Sequence, residues 1–230
     1  ILAIPESARL TNIVFMGMGE PLDNYDNVLA ALEILTSPWG MAWSPTRITL
    51  STAGITPRLE QLIEATKVHI AVSLHNPFHD QRAEIMPVEK AYPIRELTDM
   101  LRRHDFSGQR RLSFEYILME GLNDTAAHIR ELRRLLNGLN CRINIIRFHR
   151  IPDSPYFSPP RQKMEAFRDR LTAGGIHTTI RASRGEDIQA ACGLLSTAEA
   201  MRRAEQRRSQ DHDTAEGDTH HPTTKQTTER

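Results

Sequence analysis

Six short runs of β-branched and apolar residues alternate with helical patterns, and this alternation constrains the fold more than any other feature. The runs are Asn12–Met16, Ile48–Leu50, His69–Leu74, Leu112–Ile117, Ile143–Phe148 and Thr178–Ile180. Several are nearly continuous apolar stretches, as expected of parallel strands covered on both faces. Between most of them the apolar spacing predicts helices over Asp26–Thr36, Pro57–Ala65, Ile94–His104, Ala126–Leu136 and Pro160–Ala173. Thr56-Pro57 reads as a cap followed by a first-turn proline, and Gly174-Gly175 as a helix stop. Strand–helix repetition of this kind gives an α/β parallel sheet, either a barrel or a doubly wound sheet.

Composition narrows the function classes. Lys and Arg number 29 against 29 Asp and Glu, which disfavours a dedicated polybasic nucleic-acid module but leaves room for a local basic groove. The two cysteines, Cys141 and Cys192, are too few for a disulfide scaffold, a four-cysteine zinc site or a four-cysteine iron–sulfur cluster. No apolar run approaches a membrane span, so no membrane partner is expected. Residues 1–201 read as the folded body. Residues 202–230 lack large apolar side chains and read as a disordered polar tail. The start, Ile-Leu-Ala-Ile-Pro, has neither an initiator Met nor a signal pattern, and the chain reads as a piece of something longer.

In parallel α/β folds the ligand sits at the carboxyl ends of the strands. The first strand runs into Gly17-Met18-Gly19-Glu20-Pro21, where two glycines allow close backbone approach and Glu20 could accept hydrogen bonds from an amine. The plain alternative is a tight turn. It is neither a Rossmann fingerprint nor a phosphate loop, because the third glycine and the Gly-Lys-Ser/Thr are missing. The second strand ends in Ser51-Thr52-Ala53-Gly54, whose hydroxyls suit either local backbone donors or a polar ligand. The third ends in Ser73-Leu74-His75 and the fifth in Arg147-Phe148-His149. Glycine, carboxylate, hydroxyl and imidazole at successive strand ends suit a polar cofactor held by many contacts. Cys192, in Ala190-Ala191-Cys192-Gly193, is either a small buried residue or an accessible thiol; Cys141, leading into an apolar strand, reads as structural.

Taken together, Met16-Gly17-Met18-Gly19-Glu20-Pro21-Leu22, Leu50-Ser51-Thr52-Ala53-Gly54, Ser73-Leu74-His75 and Ser183–Gly193 occur in an order and spacing that resemble one family. It is the radical S-adenosylmethionine methyltransferases that modify C2 of adenosine in 23S rRNA and tRNA. The resemblance spans about Thr11 to Leu195. It implies a partial parallel (β/α)6 radical-SAM barrel, S-adenosylmethionine and a [4Fe–4S] cluster as cofactors, and 23S rRNA and tRNA as partners. It also implies a cytoplasmic monomer. By position, Cys192 matches the cysteine that carries the methyl group. Gly19, Glu20, Ser51, Ser73, Leu74 and His75 match cofactor contacts.

The sequence departs from the family in two places. The C-x3-C-x2-C cluster motif, the resolving cysteine that would form a disulfide, and an accessory domain with its base glutamate would all precede Ile1. The first strand here then corresponds to the barrel's second, and the chain by itself is expected to be inactive. Many members carry Pro-Trp-Asn where this chain has Arg147-Phe148-His149, so the cofactor contact of that Asn carries over to His149. Rival readings are a cluster-free RNA-binding remnant without chemistry, the related adenosine-C8 resistance methyltransferase, and another α/β barrel enzyme binding a small phosphate, for which the sequence lacks a clear phosphate loop.

Overall fold

The structure is a computed structural model, described for residues 1, 3, 9–106, 110–149 and 154–181. Its strands are β1 (Ile13–Phe15), β2 (Ile48–Thr52), β3 (His69–Ser73), β4 (Leu112–Leu118), β5 (Arg142–Arg147) and β6 (His177–Ile180). Its helices are α1 (Tyr25–Thr36), α2 (Thr56–Ala65), α3 (His79–Ile85), α4 (Ile94–Leu101), α5 (Ala126–Leu135) and α6 (Arg161–Ala173). All six strands are parallel and lie side by side in chain order.

That order decides between the two architectures. A doubly wound sheet reverses its strand order at a switch point. Here the order never reverses, so crossovers of one hand stack their helices on one side of the sheet. The sheet is an open, partial parallel α/β barrel to which this chain alone contributes six strands, one more than a (β/α)6 barrel lacking its first strand would leave.

The expectation of strands covered on both faces holds for β3 and β4, which are buried on both faces, but not for β2 and β5, which alternate. On β2, Ile48, Leu50 and Thr52 are buried while Thr49 and Ser51 are half-exposed. The outward residues, Leu50, Ile70, Val72, Phe114, Tyr116, Ile143 and Ile145 among them, pack with Leu59, Leu62, Leu97, Leu132 and Leu171 of the helices. Each such side chain contributes about 1.5–3 kcal/mol on burial. Many inward residues are small or polar: Ser51, Ser73, Ser113, Glu115, Asn144 and Thr179 line internal cavities, together with the apolar Val14, Ile117 and Ile146. Large β-branched neighbours on the outer face hide this alternation in the linear sequence.

Two local expectations also change. Thr56 is the first residue of α2 and its hydroxyl donates to the Gly54 carbonyl, while Ile55 occupies the cap position. The short helix α3 has no apolar pattern to announce it, because its buried residue is Arg82 rather than an apolar side chain. The expected tail, 202–230, lies outside the described residues, as does Cys192. Among the described residues no helix is long and apolar enough to cross a membrane.

Candidate functional site

A cavity of about 700 Å³ opens at the carboxyl ends of the strands. Gly19, Glu20, Ser51, Ser73 and His75 all line it, so residues spread over more than fifty positions converge on one space. The β1 turn reaches it by an unusual backbone path. Gly17 and Gly19 have φ of 129° and 74°, and a Cβ on either would meet nothing within 4 Å. Side chains avoid such φ values, and their absence leaves the backbone open to a ligand.

Glu20 brackets two loops. Its Oε1 accepts from the Leu22 amide at 3.0 Å and its Oε2 from the Ala53 amide at 2.6 Å. The first bond starts the 3-10 turn Pro21–Asn24, and the second ties the β1 turn to the end of β2. Each carboxylate oxygen has a second lone pair for a ligand donor.

Arg82 holds the same loops from beneath. Its fully buried guanidinium donates to the carbonyls of Ala53, Ser73 and Leu74 and pairs with buried Glu89. Glu89 also accepts from His79 and from the Ile94 amide. One ionic cluster therefore fixes the ends of β2 and β3, and hence where Ser51 and Ser73 sit.

His75 adopts a left-handed φ of 54°. Its Nδ1 accepts from the Ile117 amide at 3.0 Å, which places the ring proton on Nε2. Its carbonyl accepts from Asn123 Nδ2 at 2.7 Å. Burial, with the Arg82 cation adding to it, pushes the imidazole down to about 4. His75 is thus a neutral ring that offers an N–H donor and no charge at physiological pH.

Sequence reasoning misses Glu115. It faces inward from β4, directly paired in register with Ser73. Its Oε1 accepts from Asn144 Nδ2 at 2.8 Å and Ser113 Oγ at 3.2 Å, while its buried Oε2 has no hydrogen-bond partner among the described residues. Arg181 Nη1 stands 4.0 Å away. Burial raises the carboxyl's pKa, against the lowering pull of these neighbours. The available signal is a lone acid within an apolar run; its inward register is not visible in the sequence.

The other expected residues behave differently. Leu74 is fully buried in the core and does not line the cavity. His149 lies two residues beyond β5, half-buried, and is not among the described residues lining the cavity. Cys141 sits at the amino end of β5, at the opposite mouth of the barrel, where burial pushes its thiol up to about 12. It is free, and among the described residues no cluster of His, Cys, Asp or Glu is suited to a metal. Two cysteines, one of them at the wrong end, do not fit an iron–sulfur cluster.

Comparison with known proteins gives a consistent result. Residues 2–136 match the Radical SAM superfamily model. A probable dual-specificity RNA methyltransferase RlmN of Bacteroides fragilis is 57% identical over 198 residues, covering 86% of this chain and 58% of its own length. The dual-specificity RNA methyltransferase RlmN of Syntrophus aciditrophicus is 47% identical, covering 84% of this chain and 56% of its own. A crystal structure of a radical SAM methyltransferase from Sphaerobacter thermophilus superposes with a TM-score of 0.75 at 44% identity. That match covers 80% of this chain and 54% of the other. The chain therefore spans a little over half the length of the curated relatives it matches.

Proposed function

This chain belongs to the radical SAM superfamily, and from that premise we propose that it forms the cofactor-binding barrel of an RNA methyltransferase acting on adenosine C2 in 23S rRNA and tRNA. The observation that carries the proposal is the convergence of Gly19, Glu20, Ser51, Ser73 and His75 on one cavity at the strand ends. Its volume lies within the range of small-molecule sites.

The family implies S-adenosylmethionine and a [4Fe–4S] cluster. The cavity fits the first. The open glycine turn leaves space for a ligand against the backbone, and Glu115 Oε2, without a hydrogen-bond partner among the described residues, can accept from a ligand donor. The residues present do not fit the second, so the activity proposed is that of a protein in which other residues supply the cluster's cysteines.

When bound, S-adenosylmethionine supplies the methyl group. The chain's own residues bind and orient it. Glu20, fixed by two backbone amides, presents its remaining lone pairs to an ammonium group. Ser51 and Ser73 offer hydroxyls from neighbouring strands, and His75 offers its Nε2 proton without adding charge. The barrel's apolar outer layer keeps these groups in register. We assign the methyl-accepting thiol to Cys192, from its place in Ser183–Gly193; Cys141, a neutral thiol at the far mouth, is unsuited to the role. The protein so described is a cytoplasmic monomer.

The test is S-adenosylmethionine binding by the cluster-loaded protein. Glu20→Ala should weaken it by roughly 1.5–3 kcal/mol, the range for hydrogen bonds to charged groups. Unchanged affinity would mean the turn is only structural.

A further inference from the structure

The opposite mouth of the barrel, at the amino ends of the strands, holds a second cavity of about 410 Å³. Arg110, Arg111, Arg142, His69 and His177 line it, and no described Asp or Glu does. Many other arginines of the described residues are neutralised, although Arg47, Arg58, Arg130, Arg133, Arg147 and Arg170, scattered over the molecule, show no carboxylate partner either. Arg82, Arg95, Arg103, Arg134, Arg161 and Arg168 each pair with a carboxylate. In a chain whose charges balance, three guanidiniums gathered without an acid make a local positive field, and a concave low-dielectric wall concentrates it.

The three arginines have different duties. Arg110 is spent: its nitrogens donate to the carbonyls of Ile63, Thr66 and Val68, at the end of α2. It contributes charge but no free donors. Arg111 and Arg142 make no side-chain hydrogen bond or ion pair among the described residues, and both also line the interior cavity that leads toward Glu115. The ring of His69 is already used, its Nδ1 accepting from the Arg111 amide at 2.9 Å. Its pKa is lowered by burial and then by Arg111, Arg142 and Arg110, as a positive field requires. The Cys141 thiol stays neutral and supplies no competing anion.

We propose that the cleft between Arg111 and Arg142 is a binding site for a phosphate group, set at the far end of the barrel from the cofactor cavity. Guanidinium forks match tetrahedral oxyanions in charge and geometry. The two mouths are separated by the length of a strand, roughly 20 Å for seven residues. A phosphate here plays no part in the chemistry at the other mouth. It anchors a phosphorylated ligand: either the backbone of an RNA or a free phosphate. The site rests on this cleft alone, independently of the cofactor reading.

The experiment titrates the whole chain with inorganic phosphate and pyrophosphate by calorimetry, and with a short single-stranded RNA at several salt concentrations. Arg111→Gln with Arg142→Gln should weaken phosphate binding roughly tenfold or more for each guanidinium lost. If the natural source is RNA backbone, the salt slope of RNA binding should also fall by about 0.7, for one phosphate contact on a single strand. Loss of phosphate binding with an unchanged RNA slope would support the site and identify free phosphate as its source. Arg111→Gln alone, at an exposed side chain, repeats the test should the double variant fold poorly. Arg111→Lys with Arg142→Lys should restore part of the affinity. A wild-type chain that binds neither inorganic anion, or variants that bind them as tightly as wild type, would overturn the proposal.

Discussion

Glu20 Oε2 stands 2.6 Å from the amide nitrogen of Ala53, across 33 residues of chain. That bond joins the turn after β1 to the end of β2, and Leu22 engages the other carboxylate oxygen. Glu20→Ala should therefore also cost stability: about 1.5–3 kcal/mol for hydrogen bonds to a charged acceptor. Glu20→Gln keeps one acceptor and should cost less. Denaturant melts of the variants in the absence of cofactor check this, and equal midpoints for Glu20→Ala and wild type would contradict the bracket.

The Arg82–Glu89 pair makes a stronger prediction. Both side chains are buried, and Arg82 reaches three loop carbonyls. Removing one partner leaves the other charge buried alone, so Glu89→Ala should destabilise by about 3–5 kcal/mol. The ends of β2 and β3 should loosen with it. Amide hydrogen exchange at Ala53 and Leu74 should quicken in a conservative Glu89→Gln variant, whereas exchange along β5 should not.

Much of this is legible in the sequence, and the rest has identifiable reasons. The six strands and five helices follow from apolar periodicity, and the ligand end follows from strand polarity. The short helix α3 escapes because its core contact is ionic: Arg82 finds Glu89 seven residues on, and apolar spacing cannot report that. Glu115 escapes because strand register decides whether an acid faces the helices or the interior, and Val72-Ser73 opposite Phe114-Glu115 fixes it only once the strands pair. The motif suggests Glu20 as a ligand contact; its loop-bridging bond to Ala53 spans too much chain to be inferred from a motif.

Acid should weaken the fold through its neutral histidines. The folded pKa of His75 is about 4, against about 6.5 for an unfolded histidine, and His69 and His128 are lowered as well. Between those values the unfolded chain binds more protons, so stability rises with pH through this window and falls as pH drops from 6.5 toward 4. For His75 the full change is on the order of 3 kcal/mol. Urea unfolding at a series of pH values should show the decline, and His75→Gln should flatten it.

Glu115 makes the opposite contribution. Its folded pKa is raised by burial, so the folded state takes up the proton first and the charged form is the costly one at neutral pH. Glu115→Gln keeps the acceptor facing Asn144 and Ser113 and removes that charge. It should raise the melting temperature at pH 7–8, with a gain that shrinks as pH falls through the folded pKa. A loss of stability at pH 8 would show that the carboxylate is satisfied by something other than Asn144 and Ser113.

Cys141 should be chemically silent in the native protein. Its thiol is buried and raised to about 12, so the thiolate that alkylating agents need is scarce at pH 8. Iodoacetamide should label it only after unfolding, and Cys141→Ala should retain activity.

Cys192 is the residue proposed to take the methyl group, and the most direct measurement of that role is mass spectrometry of adenosine in 23S rRNA and tRNA from cells. Those cells would carry the complete, cluster-loaded protein or its Cys192→Ala variant. The wild type should produce adenosine methylated at C2 and carry a methyl group on its own Cys192 peptide. The Cys192→Ala variant should bind S-adenosylmethionine as wild type does and produce no methylated adenosine. Methylation at the wild-type rate by Cys192→Ala would contradict the assignment.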